Sequence, residues 1–192
     1  MMKKPRKEEL KVVELYSREE IQDVVQVLAK EISEDYVPLL QKDNCRLVLV
    51  GILNGAVPFI GDLARELSQY FPLGIIQIDY LAISSYKGRR QKAQIRIEKD
   101  TKTPLKGKHI LVVEDIVDSG RTLRQIVSII SAKEPASIKV CTLINRHKLQ
   151  RREVEPDYVG LTFCKDSWLI GYGLDLDGFG RELPFIGYIV DP

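Results

Sequence analysis

Apolar residues recur along the chain at two spacings, which predicts two kinds of element. Four segments are short, largely apolar and rich in branched side chains, as buried strands are. They are RLVLVGIL from residue 46, GIIQIDYLAI from 74, HILVVED from 109 and SIKVCTLIN from 137. We expect these segments to pair in one sheet.

Three further segments carry apolar residues at helical spacing. The first follows Ser17-Arg18-Glu19-Glu20, a pattern typical of a capping box at a helix start. The apolar positions are Ile21, Val24, Val25, Leu28 and Ile32 in the first segment, Ala56, Phe59, Ile60, Leu63 and Leu67 in the second, and Leu123, Ile126, Val127 and Ile130 in the third. Strands that alternate with helices predict an α/β fold, with a mostly parallel sheet covered on both faces and ligands outside the carboxyl ends of the strands.

Two regions depart from this alternation. Residues 84–108, SSYKGRRQKAQIRIEKDTKTPLKGK, are polar and basic, and within them QIRIE alternates like a half-exposed strand. We expect this stretch to form a mobile flap. From Pro156 onward the chain has short strands and Gly-rich turns without a clear helix, which predicts a small lobe over the binding site.

Composition and charge narrow the classes of function. With 192 residues and 44% apolar content, we expect one domain without a signal peptide or membrane anchor. The net charge of +2 gives no argument for nucleic acid, and we interpret the basic bunch between Lys87 and Lys108 as a solvated loop. Cys45, Cys141 and Cys164 fit a reducing cytoplasm, and two histidines without zinc spacing leave a hard, oxygen-bound metal as the expectation.

The segment LVVEDIVDSGRTL, residues 111–123, carries the candidate chemistry. Gly120 permits a tight turn after a strand, and the amides of residues 119–122 then begin a helix, whose N–H groups and dipole favour an anion. The hydroxyls of Ser119 and Thr122 add two donors. Taken alone, the pattern also fits an ordinary glycine turn with Asp118 as the helix cap.

Two adjacent acids favour a ligand site over an ordinary glycine turn. Glu114 and Asp115 lie at the end of a buried strand, where carboxylates are costly unless they meet water, donors or a cation. A ribose 2′,3′-diol offers two adjacent donors, and Mg²⁺ can bridge such a diol to phosphate oxygens. We therefore predict a sugar phosphate, with its diol on the acids and its phosphate on the turn.

On these residues the chain resembles the type I phosphoribosyltransferases, and among them the hypoxanthine-guanine phosphoribosyltransferases. The resemblance runs from about Leu47 to Ile186 and includes GILNGAVPFI, the ISSY that opens the flap, LVVEDIVDSGRTL, PDYVG and WLIGYGLD with Arg181. It implies a mostly parallel five-stranded sheet with helices on both faces and a small C-terminal hood that holds a purine base. One domain, 1–192, is expected, with a core of about 37–150 and a hood formed mainly by 151–192 with the N-terminal segment.

The resemblance also implies an activity. Such an enzyme transfers the 5-phosphoribosyl group from phosphoribosyl diphosphate (PRPP) to N9 of hypoxanthine or guanine, giving IMP or GMP and pyrophosphate, with Mg²⁺ as cofactor. The implied role is purine salvage in the cytoplasm by a homodimer or homotetramer. Two alternatives stay open: a xanthine-preferring relative, and a PRPP-binding regulator that contacts nucleic acid. The sequence shows neither an added DNA-binding domain nor a broad basic face for the latter.

The resemblance assigns roles to residues according to the part of the ligand they meet. Asp118 is the general base, Glu114 and Asp115 hold the ribose diol and Mg²⁺, and Asp118, Ser119, Gly120, Arg121 and Thr122 form the 5′-phosphate loop. Leu53, Asn54, Gly55 and Arg181 meet pyrophosphate, and Ser85 and Tyr86 belong to the flap. Arg146, Trp168, Leu169 and Asp175 bind the purine, and Asp175 also faces a second Mg²⁺.

The chain departs from the family pattern at three of these places. Asn54, Arg146 and Ser167 stand where lysine is common. A guanidinium is not interchangeable with an ammonium, so Arg146 keeps a donor but changes its geometry. To aim backbone amides at pyrophosphate, we expect the peptide bond between Leu53 and Asn54 to be cis.

Overall fold

The computed structural model of the chain describes residues 11–43, 45–87, 93–146 and 154–190, and of 42–43, 85–87 and 93–95 it describes the backbone only. The elements are β1 (Lys11–Tyr16), α1 (Arg18–Asp43), β2 (Leu47–Leu53), α2 (Val57–Leu67), β3 (Ile76–Lys87), β4 (Ala93–Lys99), β5 (His109–Val117), α3 (Arg121–Ser131), β6 (Ser137–Arg146), β7 (Tyr158–Phe163), β8 (Leu169–Ile170) and β9 (Ile186–Val190). Strands and helices alternate in the central part, which confirms the predicted α/β class.

The main sheet has the strand order β4-β3-β2-β5-β6-β7. The strands β3, β2, β5, β6 and β7 are parallel to one another, as predicted. Strand β4 pairs with β3 in the antiparallel sense. The predicted count of five strands is therefore one short. The sixth strand contains the alternating QIRIE segment, which folds back on β3 and lengthens the sheet at its edge.

The sheet separates two hydrophobic cores. Along β2, Leu47 and Leu49 face the first core and Val48 and Val50 the second, because successive side chains of a strand point to opposite faces. Helices α1 and α2 cover the first core and α3 covers the second. The apolar stripes predicted for the three helices are buried or half-buried, which confirms their helical period.

The N-terminus of α1 is closed by the predicted capping box. The backbone N–H of Ser17 donates to Glu20 Oε2 at 2.7 Å, and the backbone N–H of Glu20 donates to Ser17 Oγ at 3.2 Å. Each side chain thus satisfies one donor that the first turn of a helix would leave unpaired.

A second, smaller sheet has the order β1-β9-β8, with antiparallel pairing throughout. We call this sheet, together with residues 164–185, the hood. It joins the N-terminal segment to the C-terminal one, since Lys11 lies opposite Val190. The predicted division into a core of about 37–150 and a hood stays a prediction, and two elements that reach beyond these bounds pack with the main sheet. α1 buries its apolar stripe in the first core, and β7 extends the parallel sheet with Tyr158 beside Cys141 of β6.

Two further expectations concern membrane-spanning helices and disulfide bonds. No helix in the described part of the chain is long and apolar enough to span a bilayer. Cys45, Cys141 and Cys164 are all free thiols, so the odd cysteine count does not conceal a disulfide.

Asp79 of β3 is a buried carboxylate that ties three segments together. It accepts hydrogen bonds from the Tyr80 amide at 2.7 Å, the Thr103 amide at 2.7 Å and Lys99 Nζ at 3.3 Å. Burial opposes its charge, but these donors outweigh burial and lower the pKa of Asp79 to about 2. Because this value lies below the unfolded pKa of about 3.9, the stabilisation is complete above that pH and is lost as the pH falls toward 2.

Asp79→Ala is expected to lower the free energy of unfolding at pH 7 by about 1–3 kcal/mol, because two amides lose their acceptor in a buried place. Urea unfolding at pH 7 and pH 3 checks this, with Asp23→Ala on the exposed face of α1 as the matched control. The loss should be smaller at pH 3. An equal loss at both pH values would contradict the role assigned to the ionised carboxylate.

Candidate active site

The carboxyl ends of the central parallel strands meet at one edge of the main sheet. β2 ends at Leu53, β5 at Val117 and β6 at Arg146. The predicted pyrophosphate loop, the ribose acids and Arg146 of the purine set lie at or just after these strand ends, so the parallel pairing brings them to the same edge.

The turn between β5 and α3 encloses a cavity of about 240 Å³. Its lining comprises Glu114, Asp115, Ile116, Val117, Asp118, Ser119, Gly120, Thr122 and Leu123. Gly120 precedes the helix with φ of 74°, in the left-handed region that favours glycine, and α3 begins directly after it. The turn therefore places the first amides of α3 beside the half-buried acids, as the sequence predicts, while Arg121 does not line the cavity.

Glu114 and Asp115 form an electrostatically strained pair. Burial raises the pKa of Glu114 well above its usual range, and the neighbouring Asp115 raises it further. Burial also raises the pKa of Asp115, against the opposing effects of Glu114, the Ile116 amide and Arg181. Such a pair favours a proton or a cation between its oxygens.

These oxygens are chemically suited to Mg²⁺, which prefers carboxylates completed by water and phosphate. Within the described ranges no group of three or more His, Cys, Asp or Glu side chains could hold a metal ion. A hard cation held by Glu114 and Asp115 would complete its coordination with water and with oxygens of a ligand.

The predicted pyrophosphate loop lies directly against the acids. The peptide bond between Leu53 and Asn54 is cis, as expected. A Cβ added to Gly55 would lie 1.7 Å from Asp115 Oδ2, and a Cβ added to Gly173 would lie 2.0 Å from the Gly55 carbonyl oxygen. Because a side chain at position 55 or 173 would collide with its neighbour, glycine at both positions allows the close approach. Gly55 therefore lies between Asp115 and Gly173 of the hood.

Arg181 is held by two residues of the hood, and its charge opposes the rise that burial causes in the pKa of Asp115. Its Nη1 donates to the Gly173 carbonyl at 2.5 Å, and its Nη2 pairs with Asp175 Oδ1 at 2.7 Å. The second oxygen of Asp175 accepts from the Gly178 amide at 2.6 Å. Both carboxylate oxygens of Asp175 thus have protein donors, and its role as a ligand of a second Mg²⁺ stays a prediction.

Among the predicted purine residues, Trp168 is hydrogen-bonded to Asp175, and Arg146 is hydrogen-bonded to the residue before Trp168. Trp168 is 57% exposed, and its Nε1 donates to the Asp175 carbonyl at 2.8 Å. Arg146 Nη2 donates to the carbonyl of Ser167, the residue before Trp168, at 2.6 Å. Leu169 is buried in β8 opposite Tyr188.

The flap residues are described in part. Ser85 and Tyr86 lie in β3, where their backbones pair with Ile95 and Gln94 of β4. Their side chains fall outside the described part of the chain, so their contact with a ligand stays a prediction.

Sequence reasoning missed how the hood is anchored to the core. The hydroxyl of Tyr172 donates to Asp62 Oδ2 of α2 at 2.5 Å, and burial together with that carboxylate raises the pKa of Tyr172. Gly171 and Gly173 flank it with φ of 99° and 97°. The GYG within WLIGYGLD was the available signal, because paired glycines mark a backbone that needs positive φ or close approach.

Gly55→Ala is expected to weaken pyrophosphate binding by about a hundredfold or more, the scale of two lost charge-assisted hydrogen bonds, because the added methyl displaces the loop or Asp115. Calorimetric titration with pyrophosphate and Mg²⁺ measures this. Gly61→Ala is the matched control: it lies inside α2, where an added Cβ would be 3.7 Å from Arg65 and alanine is favoured by about 0.5–1 kcal/mol. Equal binding by both variants would contradict the close approach of Gly55.

Comparison with known proteins agrees with this geometry. A family model described as "Phosphoribosyl transferase domain" matches residues 12–177. A hypoxanthine-guanine-xanthine phosphoribosyltransferase of Tritrichomonas foetus is 37% identical over 176 residues, covering 91% of this chain and 90% of that protein. A bifunctional TilS/HprT protein of Listeria monocytogenes is 34% identical over 91% of this chain, which there spans only 25% of the longer protein.

Solved structures of phosphoribosyltransferases have a similar backbone fold. The hypoxanthine phosphoribosyl transferase of Trypanosoma cruzi superposes with a TM-score of 0.83 at 31% identity, covering 97% of this chain and 95% of that one. The likeness thus includes both sheets and the strand ends that carry the site. The chain belongs to the phosphoribosyltransferase family, and within it to the hypoxanthine-guanine phosphoribosyltransferases.

Proposed function

We propose that this chain transfers the 5-phosphoribosyl group of PRPP to N9 of hypoxanthine or guanine, releasing IMP or GMP and pyrophosphate. The observation that carries the proposal is the cavity between β5 and α3, where two half-buried acids face a turn of helix-start amides. That arrangement suits a ribose diol at one end and a 5′-phosphate at the other. The named relatives support the choice of reaction.

The ribose end of the site would be held by Glu114 and Asp115. Each carboxylate accepts a hydrogen bond from one hydroxyl of the diol, and their negative charge stabilises the positive charge that develops on the ring as the bond at carbon 1 breaks. Bound Mg²⁺ would supply charge neutralisation for the leaving pyrophosphate. The raised pKa of both acids fits a pair that is completed by a cation and a diol.

Asp118 is proposed as the general base. It is half-buried in the cavity, between the acids and the phosphate turn. As N9 of the purine attacks carbon 1, N7 must share or lose a proton, and a carboxylate at hydrogen-bond distance can accept it. The amides of residues 119–122, with the hydroxyls of Ser119 and Thr122, hold the 5′-phosphate, so the sugar stays fixed during transfer.

The leaving group would be received by the loop of Leu53, Asn54 and Gly55 together with Arg181. Asn54 offers no positive charge, so the backbone amides and Arg181 carry this contact. Ser85 and Tyr86 of the flap would close over the site and exclude water, which otherwise hydrolyses the activated sugar.

The proposal is tested by incubating the chain with PRPP, hypoxanthine and Mg²⁺ and measuring IMP and pyrophosphate. Equal amounts of the two products are expected, and none with EDTA. Pyrophosphate without IMP would show hydrolysis of PRPP instead of transfer and would contradict the proposed reaction.

A xanthine preference is the second candidate, because the Tritrichomonas foetus relative carries xanthine in its name. Ser167 argues against it: the position lacks the lysine that is common in the family, and xanthine is partly anionic near neutral pH. We therefore place hypoxanthine and guanine ahead of xanthine.

Base choice should follow from Arg146, which has donors and no acceptor. It can pair with the 6-oxo group of hypoxanthine or guanine, but it would meet the 6-amino group of adenine donor to donor. Discrimination against adenine of at least about tenfold to a hundredfold in kcat/KM is expected. Competition among the four bases at limiting PRPP measures it, and adenine used as well as hypoxanthine would remove Arg146 from this role.

The cellular setting is proposed from the cysteines and from the resemblance. Three free thiols fit a reducing cytoplasm, where purine salvage would take place. A homodimer or homotetramer is proposed from the resemblance, and PRPP and the purine, without nucleic acid or membrane, are the proposed partners.

A further inference from the structure

Arg146, which is proposed to bind the purine 6-oxygen, also contacts two other parts of the chain. It is the last residue of β6, and its Nη2 donates to the Ser167 carbonyl at 2.6 Å. Its guanidinium carbon lies 5.7 Å from the ring centroid of Phe163, the buried last residue of β7. The side chain therefore spans from the ends of two core strands to the hood segment that carries Trp168.

Trp168 depends on hydrogen bonds for its orientation. Because it is 57% exposed, packing fixes only part of its surface. Its ring Nε1 donates to the Asp175 carbonyl at 2.8 Å, and its own carbonyl accepts from the Ile189 amide at 3.0 Å. Arg146 holds the peptide immediately before it. The indole is thus oriented from three directions, and the Arg146 bond is the one that comes from the core sheet.

The planar guanidinium is suited to two tasks at once. It carries five N–H donors in a rigid fork, so a bond to the Ser167 carbonyl is compatible with a second bond to a purine 6-oxygen. A charge-assisted bond to a carbonyl is also stronger than a neutral one. A lysine ammonium has no such fixed fork. Arginine at this position is therefore better suited than lysine to hold the Ser167 carbonyl and the purine 6-oxygen together.

We propose that Arg146 is a positioning residue: it holds the Ser167 carbonyl and thereby orients Trp168 at the purine site. This inference rests on the proposed function. It predicts that loss of the guanidinium loosens Trp168 before any substrate is present. It also predicts that the loss weakens base binding more than it slows the transfer step.

The test uses the only tryptophan of the chain as its own probe. Acrylamide quenching and fluorescence anisotropy of Trp168 are measured in the unliganded full chain for Arg146→Met and Arg146→Lys. Arg18→Met and Arg18→Lys, at the exposed start of α1, are the matched controls. Arg146→Met should raise the quenching constant and lower the anisotropy, and Arg146→Lys should lie between it and the wild type. If Arg146→Met does not fold, Arg146→Leu takes its place with the same expectations, because leucine also lacks a donor for the Ser167 carbonyl.

Kinetics supply the second readout. The KM for hypoxanthine should rise about tenfold or more in Arg146→Met, with kcat and the KM for PRPP changed far less, and Arg146→Lys should restore part of the loss. Fluorescence equal to that of the Arg18 variants would overturn the inference, as would altered fluorescence with an unchanged KM for the base. The fluorescence needs no turnover, so a wild type that makes no nucleotide would refute the proposed function without affecting this first readout.

Discussion

Asp118→Asn is expected to lower kcat by about two to four decades, the range for loss of a positioned acid-base group. The amide has nearly the same shape as the carboxylate but cannot accept the purine N7 proton. The cavity and its phosphate turn should be kept, because Asp118 is one of nine residues that line the cavity and the amide has nearly its shape. PRPP affinity should therefore change little.

Single-turnover kinetics at saturating PRPP and base measure this effect directly, since they separate the transfer step from product release. Asp23→Asn, on the exposed face of α1, is the matched control for the loss of one carboxylate. A rate for Asp118→Asn close to that of the control would remove Asp118 from the chemistry.

Replacing both strand-end acids by amides, Glu114→Gln with Asp115→Asn, is expected to weaken PRPP binding in Mg²⁺ by about a hundredfold or more. The two carboxylates are held to meet the diol and the metal, and neutral amides provide neither charge. Calorimetric titration with PRPP and Mg²⁺ is the measurement. The control pair is Glu34→Gln with Asp23→Asn, both on exposed positions of α1.

The same double variant has an opposite expectation for stability. Burial raises the pKa of both acids, so their contribution to stability is most favourable below the unfolded pKa values and is lost as the pH rises through the folded ones. At pH 7 the unliganded chain carries this cost, and the amides relieve it. Urea unfolding should therefore give an equal or higher free energy of unfolding. Lower stability together with lower affinity would indicate a structural role for the acids.

The core of the fold could be predicted from sequence because its signals are local. β2 is buried along nearly its whole length, and α3 buries Leu123, Ile126 and Ile130, so each shows its period within a few residues. The hood could not be predicted in the same way. β8 has two residues and β9 five, and β1 joins them only by pairing Lys11 with Val190 across the length of the chain.

The candidate site also has a part that the sequence predicted and a part that it did not. The acids, the turn and Gly120 follow one another in a single segment, so the sequence predicted that they lie together, whereas the roles that the resemblance assigns them toward the ligand stay predictions. The GYG within WLIGYGLD marks an unusual backbone at Tyr172, but the partner of Tyr172, Asp62, lies 110 residues away and the sequence does not identify it. The place of β7 was missed for a related reason, since six residues with one glycine carry little periodicity.

A crystal structure of this chain with PRPP and Mg²⁺ tests the proposed binding mode most directly. We expect the 5′-phosphate on the amides of residues 119–122 and the ribose hydroxyls on Glu114 and Asp115. We also expect pyrophosphate on the loop of Leu53 to Gly55. PRPP bound in the reverse direction, or with its 5′-phosphate away from the turn after β5, would contradict this binding mode.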